Sequence, residues 1–124
     1  MKIPQITDAE LSVMKVLWNK GACTSNIIVE EVSAKHQWND KTIRTLINRL
    51  VSKKAISADK SVTKSYIYSA KVTRQEYENQ ESKNFINKLY NGSVKLMLTS
   101  FVKNNNLTKE DIEDLKKILS GEDK

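Results

Sequence analysis

Asn39-Asp40-Lys41-Thr42-Ile43-Arg44-Thr45-Leu46-Ile47-Asn48-Arg49-Leu50-Val51-Ser52 is the stretch that decides the fold. Asn39 is a good N-cap, because its side-chain oxygen can take an amide of the first turn, and Asp40 suits the positive end of the helix that follows. Ile43, Leu46, Ile47 and Leu50 recur at i, i+3, i+4 and i+7, the signature of one apolar helix face. At about 100° per residue, Lys41, Thr45, Asn48 and Ser52 then point directly away from that face, flanked by Thr42, Arg44 and Arg49. The outward face carries no acidic side chain. It mixes cations with short hydrogen-bonding groups, as a helix needs to read base edges in a DNA major groove while touching phosphates. An ordinary solvated helix face interleaves Glu and Asp with its Lys and Arg.

Working outward, two helices precede this one. Thr7-Asp8-Ala9-Glu10 forms a capping box with Ile6 and Leu11 as its hydrophobic staple. The helix it starts runs from about Asp8 to Asn19, with Leu11, Met14, Leu17 and Trp18 on one face and Gly21 just beyond. The next runs from about Ser25 to Lys35, with Ile28 and Val32 inward and Ile27 beside them. After Ser52 the period changes. Ala55–Lys60 and Ser65–Ser69 are short and β-rich, joined by a polar turn at Ser61-Val62-Thr63-Lys64, and read as a hairpin. Helix, helix, helix, hairpin is the order of a winged helix-turn-helix.

From Thr73 the chain is helical again. A capping box at Thr73…Glu76 starts a helix to about Tyr90, ended by Asn91-Gly92. A fifth helix has Val94, Met97, Leu98 and Phe101 at helical spacing. Thr108…Asp111 starts a sixth, with Ile112, Leu115, Ile118 and Leu119. The expected architecture is mainly α with a small β-hairpin wing: a winged helix-turn-helix domain over residues 1–71, then a three-helix dimerisation domain over 72–124. Three short helices cannot easily bury apolar stripes of this size alone. Phe85, Leu89, Met97, Leu98, Phe101, Leu115 and Leu119 therefore call for a second copy of the chain, in a two-fold homodimer. The other possibility is that they fold back on the winged helix.

The net charge of +6 in 124 residues is placed as informatively as the helices. Residues 1–38 hold four basic and four acidic groups, and residues 72–124 hold nine of each. The whole excess lies in 39–71, where Lys41, Arg44, Arg49, Lys53, Lys54, Lys60, Lys64 and Lys71 face only Asp40 and Asp59. A concentrated basic patch is the footprint of a polyanion binder. Lys53 and Lys54 at the helix end, with Lys60 and Lys64 around the wing, extend it as a strip of phosphate contacts.

Other function classes fit poorly. A lone Cys23 and a lone His36 assemble neither a catalytic set nor a four-ligand zinc site, and no glycine-rich loop cradles a phosphate. No enzyme, metal or cofactor is expected. Cys23 reads as a small buried apolar residue rather than a redox sensor, and His36 as a surface turn residue. No apolar run is long enough for a membrane span, and the first residues do not resemble a signal peptide, so the expected location is the cytoplasm. A winged-helix protein-interaction module would carry an apolar or mixed-charge outer face on the third helix. A non-specific architectural DNA binder would discriminate little between sequences.

Three blocks carry a resemblance: Ile6-Thr7-Asp8-Ala9-Glu10…Val13-Met14…Trp18, then Lys41 to Leu50, then Ser82-Lys83-Asn84-Phe85-Ile86-Asn87-Lys88-Leu89-Tyr90-Asn91-Gly92. In sequence and spacing they are similar to the BlaI/MecI family of repressors. The resemblance implies a dimer on double-stranded inverted-repeat operators of the TACA/TGTA type. It implies repression of β-lactam-resistance genes, relieved when a membrane sensor-protease pathway leads to a cut in the C-terminal half. Lys41, Thr42, Arg44, Thr45 and Arg49 match the family's recognition helix and take its DNA-facing role. The family's cleavage position falls between Ser100 and Phe101, where Ser100 stands in place of the usual Asn and Thr99 in place of a common apolar residue. Copper-responsive relatives carry a C-terminal cysteine cluster that this chain does not have.

Overall fold

The computed structural model describes residues 3–60 and 65–121. Its elements are α1 (Asp8–Lys20), α2 (Ser25–Lys35), α3 (Asp40–Ser52), β1 (Ile56–Lys60), β2 (Tyr66–Ala70), α4 (Arg74–Tyr90), α5 (Val94–Lys103) and α6 (Lys109–Ser120). β1 and β2 pair antiparallel, from Ile56 opposite Ala70 to Lys60 opposite Tyr66. The turn between them, including Lys64, lies outside the described residues.

The caps form as the sequence suggests. Thr7 and Glu10 exchange both hydrogen bonds of a capping box, as do Thr73 with Glu76 and Thr108 with Asp111. Asn39 accepts from the Thr42 amide. α2 begins differently: its N-cap Thr24 makes no side-chain capping bond, and its first turn has no acidic residue.

Two compact units emerge, Met1–Gln80 and Glu81–Lys124. The first holds the core, in which Val13, Met14 and Leu17 of α1 meet Ile28 and Val32 of α2, Ile43, Leu46, Ile47 and Leu50 of α3, and Ala55, Ile56 and Val72. Leu11 and Trp18 are only partly buried; Val13 takes the place expected of them. The wing is tied to this core by a link with no signature in the sequence: Cys23 and Tyr68 exchange backbone hydrogen bonds at 3.0 and 2.8 Å. Cys23 is buried, and burial pushes its thiol pKa up.

The first unit extends past residue 71 because the start of α4 packs on the end of α1. Trp18 donates its indole N–H to the Val72 carbonyl at 2.9 Å, and its ring lies 5.7 Å from that of Tyr77. The Arg74 guanidinium sits 5.5 Å from the Trp18 ring centroid and also donates to Asn19.

The second unit has no fully buried residue in α5 or α6. Tyr90 meets Phe101 edge-on at 6.3 Å. Phe85, Leu89 and Leu119 are exposed, Leu119 by 80%, while Met97, Leu98, Phe101 and Leu115 are half-buried.

Candidate nucleic-acid interface

The candidate interface is built on α3. Burial of Ile43, Leu46, Ile47 and Leu50 fixes the rotation of the helix about its own axis. Lys41, Thr42, Thr45, Asn48 and Arg49 are thereby turned to solvent. Lys41, Arg49, Lys54 and Lys60 make no ion pair among the described residues. Their charge is therefore not internally neutralised. Thr45 donates its hydroxyl to the Lys41 carbonyl at 2.9 Å. That leaves its lone pairs and methyl group for an outside partner, and a methyl is a fitting contact for thymine.

Two cations of the basic stretch are used differently. Arg44 donates from Nε to both carboxylate oxygens of Asp40 at 3.0 Å, from Nη1 to Ser25 at 2.9 Å and from Nη2 to Asn26 at 2.8 Å. Lys53, expected in the phosphate strip, points back into the protein instead. Its ammonium donates to Glu10 at 2.6 Å and to the Gln5 carbonyl at 3.0 Å. Glu10 is 1% exposed, so a carboxylate read as a cap is also half of a buried ion pair. Burial disfavours its charge, but the hydrogen bonds from Lys53 and from Thr7 outweigh that and hold its pKa below the usual carboxylate value.

Lys54 follows at the end of α3 with φ of 66°, closing the helix in the left-handed conformation that glycine usually takes. On the wing, Lys60 and its cross-strand partner Tyr66 are both exposed. Tyr66 was not singled out by the basic pattern, although an exposed aromatic beside a lysine is the signal that could have found it. Between α2, α3 and β2 lies a recess of about 190 Å³ lined by Ser25, Arg44, Ile47, Asn48 and Tyr68. His36 is not a free turn residue: it hydrogen-bonds Ser12 at 3.2 Å and stacks on Trp38 at 4.3 Å.

The penicillinase repressor family model matches residues 6–121. The chain belongs to the penicillinase repressor family. It is 37% identical over 118 residues to a penicillinase repressor of Bacillus licheniformis, covering 95% of this chain and 91% of that one. It is 38% identical over 119 residues to the methicillin resistance regulatory protein MecI of Staphylococcus aureus (strain N315), covering 96% of both. Among solved structures, the DNA-binding domain of the repressor BlaI superposes with a TM-score of 0.54 at 37% identity, covering 61% of this chain and 92% of that one. The Bacillus licheniformis BlaI monomeric form in complex with the blaP half-operator does so with a TM-score of 0.55 at 38% identity and the same coverage. As a member of the penicillinase repressor family, the chain is a DNA-binding transcriptional repressor and not an enzyme.

Proposed function

We propose that this repressor binds an inverted-repeat operator as a homodimer, with α3 of each copy in the major groove and the wing against the backbone. The exposed, acid-free face of α3 carries the reading. Lys41, Thr42, Thr45, Asn48 and Arg49 lie on or beside it, where bases and phosphates would be met. Lys60 and Lys64 supply sequence-independent phosphate contacts from the wing. The protein acts in the cytoplasm, where its DNA is; among the described residues no helix is long and apolar enough to cross a membrane.

The second copy joins through residues 72–124. The exposed Phe85, Leu89 and Leu119 and the half-buried Met97, Leu98, Phe101 and Leu115 form the interface, since none of them is fully buried within the second unit. A half-operator occupied by one monomer, as in the Bacillus licheniformis BlaI complex, leaves the other half for a second copy. Joining two reading heads raises apparent affinity by ~10²–10⁴.

The regulated genes are those of β-lactam resistance, as the names of the relatives suggest. Repression ends when the protease of a membrane β-lactam sensor pathway leads to a cut between Ser100 and Phe101. That bond lies inside α5 (Val94–Lys103), within the apolar stripe that would join the copies. A protease needs it locally unwound. Thr99 bonds back to the Lys95 carbonyl, a habit that weakens helices.

A footprint on the DNA upstream of the protein's own gene tests the operator reading. A protected inverted repeat supports it; uniform, sequence-independent protection overturns it. Intact mass spectrometry after β-lactam induction tests the switch: a fragment ending at Ser100 supports it, and derepression with a full-length chain rules it out.

A further inference from the structure

Arg44 stands on the border of the outward face of α3, yet its guanidinium is already engaged by the protein. Of its five N–H groups, those on Nε, Nη1 and Nη2 that point inward reach Asp40, Ser25 and Asn26. Asp40 is the first residue of α3, and Ser25 and Asn26 are the first two of α2. One side chain thus ties together the N-terminal turns of the two helices of the helix-turn-helix. At the far end of α3, Lys53 makes a similar tie to Glu10 and the Gln5 carbonyl at the start of α1. The reading helix is held near both ends by a cation that reaches another element: Ser25 and Asn26 of α2 for Arg44, and Glu10 of α1 with the Gln5 carbonyl for Lys53.

The electrostatics make Asp40 the key partner. Arg44 lies against the N-terminal end of α2, which carries the positive pole of that helix and has neither a side-chain cap nor an acidic residue in its first turn. A guanidinium there is unfavourable unless an anion accompanies it. Asp40 is that anion. Two N–H groups, one on each Nη, remain, but swinging the guanidinium away from α2 toward a base would break the bonds from Nε to Asp40 and from the Nη atoms to Ser25 and Asn26.

We propose that Arg44 is a positioning residue, not a base reader. It sets the angle at which α3 enters the groove by tying α3 to α2, and Asp40 determines specificity by keeping Arg44 on the protein. Discrimination between bases then falls to Lys41, Thr45 and Asn48. This inference rests on the operator reading above and names the residues that make it selective.

The test uses the full-length protein and two duplexes, one with an inverted TACA/TGTA repeat and one scrambled, at fixed salt. Affinities are measured for the wild type, Asp40→Ala, Arg44→Ala, Arg44→Lys and the Asp40→Ala/Arg44→Ala double variant, then for a panel of single-base-pair changes in the repeat. Removing either partner of one tie should lower the ratio of specific to scrambled affinity by about tenfold, a coupling of ordinary size for residues in contact. The double variant should be no worse than the poorer single one, and Arg44→Lys should not restore the ratio, since one ammonium cannot span three partners. The loss should spread over every position that α3 touches. Tighter or equally selective binding by Asp40→Ala overturns the proposal, as does an Arg44→Ala chain that relaxes one base pair alone. Should Arg44→Ala fold poorly, Ser25→Ala removes a single partner and should shift the ratio in the same direction by less; no shift counts against the tie. If the wild type itself shows no preference for the repeat, the operator reading has failed, and that failure is visible without any variant.

Discussion

Lys53→Met removes the cation from a carboxylate that is 1% exposed, and the structure allows the cost to be worked out. Breaking a buried ion pair by taking away one partner costs about 3–5 kcal/mol, because the remaining charge is stranded. Here Glu10 keeps the hydrogen bond from the Thr7 amide at 2.9 Å. The Lys53 side chain is a third exposed, so solvent already screens part of the interaction. The expected loss is therefore ~2 kcal/mol at neutral pH. Its pH dependence is the sharper test. In the wild type the Glu10 pKa is depressed, so the stability it contributes is present above the unfolded-state value and is lost as pH falls through the folded-state value. In Lys53→Met, burial is no longer offset by the ammonium, the folded pKa moves up, and the penalty grows as pH rises past the unfolded value. The gap between the two chains should be full near neutrality and should close on acidification. Urea melts of both proteins from about pH 7 down to about pH 3.5, spanning the ordinary carboxylate range, measure it. A gap that stays constant across that range would refute the assignment of Glu10 as a buried charge held by Lys53. So would an undiminished cost of Lys53→Met in a Glu10→Gln background.

Lys54→Gly should stabilise the fold by about 0.5–1 kcal/mol, by relieving a left-handed side-chain residue, yet weaken DNA binding; a chemical melt and a binding titration read the two effects separately. Lys60→Ala should weaken binding to all duplexes alike and reduce the slope of log affinity against log salt by about one unit. Leu119→Glu, at a position 80% exposed in the single chain, should shift sedimentation from dimer to monomer while leaving the circular dichroism spectrum of the folded chain unchanged; an unaltered dimer would place the interface elsewhere.

What was legible in the sequence was local. Thr7 and Glu10, Thr73 and Glu76, Thr108 and Asp111 each lie three residues apart, and such pairs declare helix starts through their own hydrogen bonds. The spacing of Ile43, Leu46, Ile47 and Leu50 fixed which side of α3 faces outward, because burial of one stripe determines the other. What escaped depends on chain brought together from afar. Glu10 reads as a cap by its spacing to Thr7; its second role appears only when α3 delivers Lys53 to it. Arg44 has Asp40 one turn away, but Ser25 and Asn26 come from another helix. The Cys23–Tyr68 link joins a connecting segment to the wing through backbone groups, which no side-chain pattern reports. Charge counting could place the basic patch but could not separate the cations held by the protein from those left for a ligand.

The central claim is that the outward face of α3 reads sequence. Its most direct test is a comparison of the wild type with a Lys41→Ala/Thr45→Ala/Asn48→Ala chain, titrated on an operator duplex and on its scrambled counterpart at several salt concentrations. These three side chains are exposed, so the fold should survive their truncation. The account predicts that the variant loses its preference for the operator, at roughly 1–3 kcal/mol for each base contact removed, while retaining weak, salt-dependent binding to both duplexes. An operator preference equal to that of the wild type would contradict it.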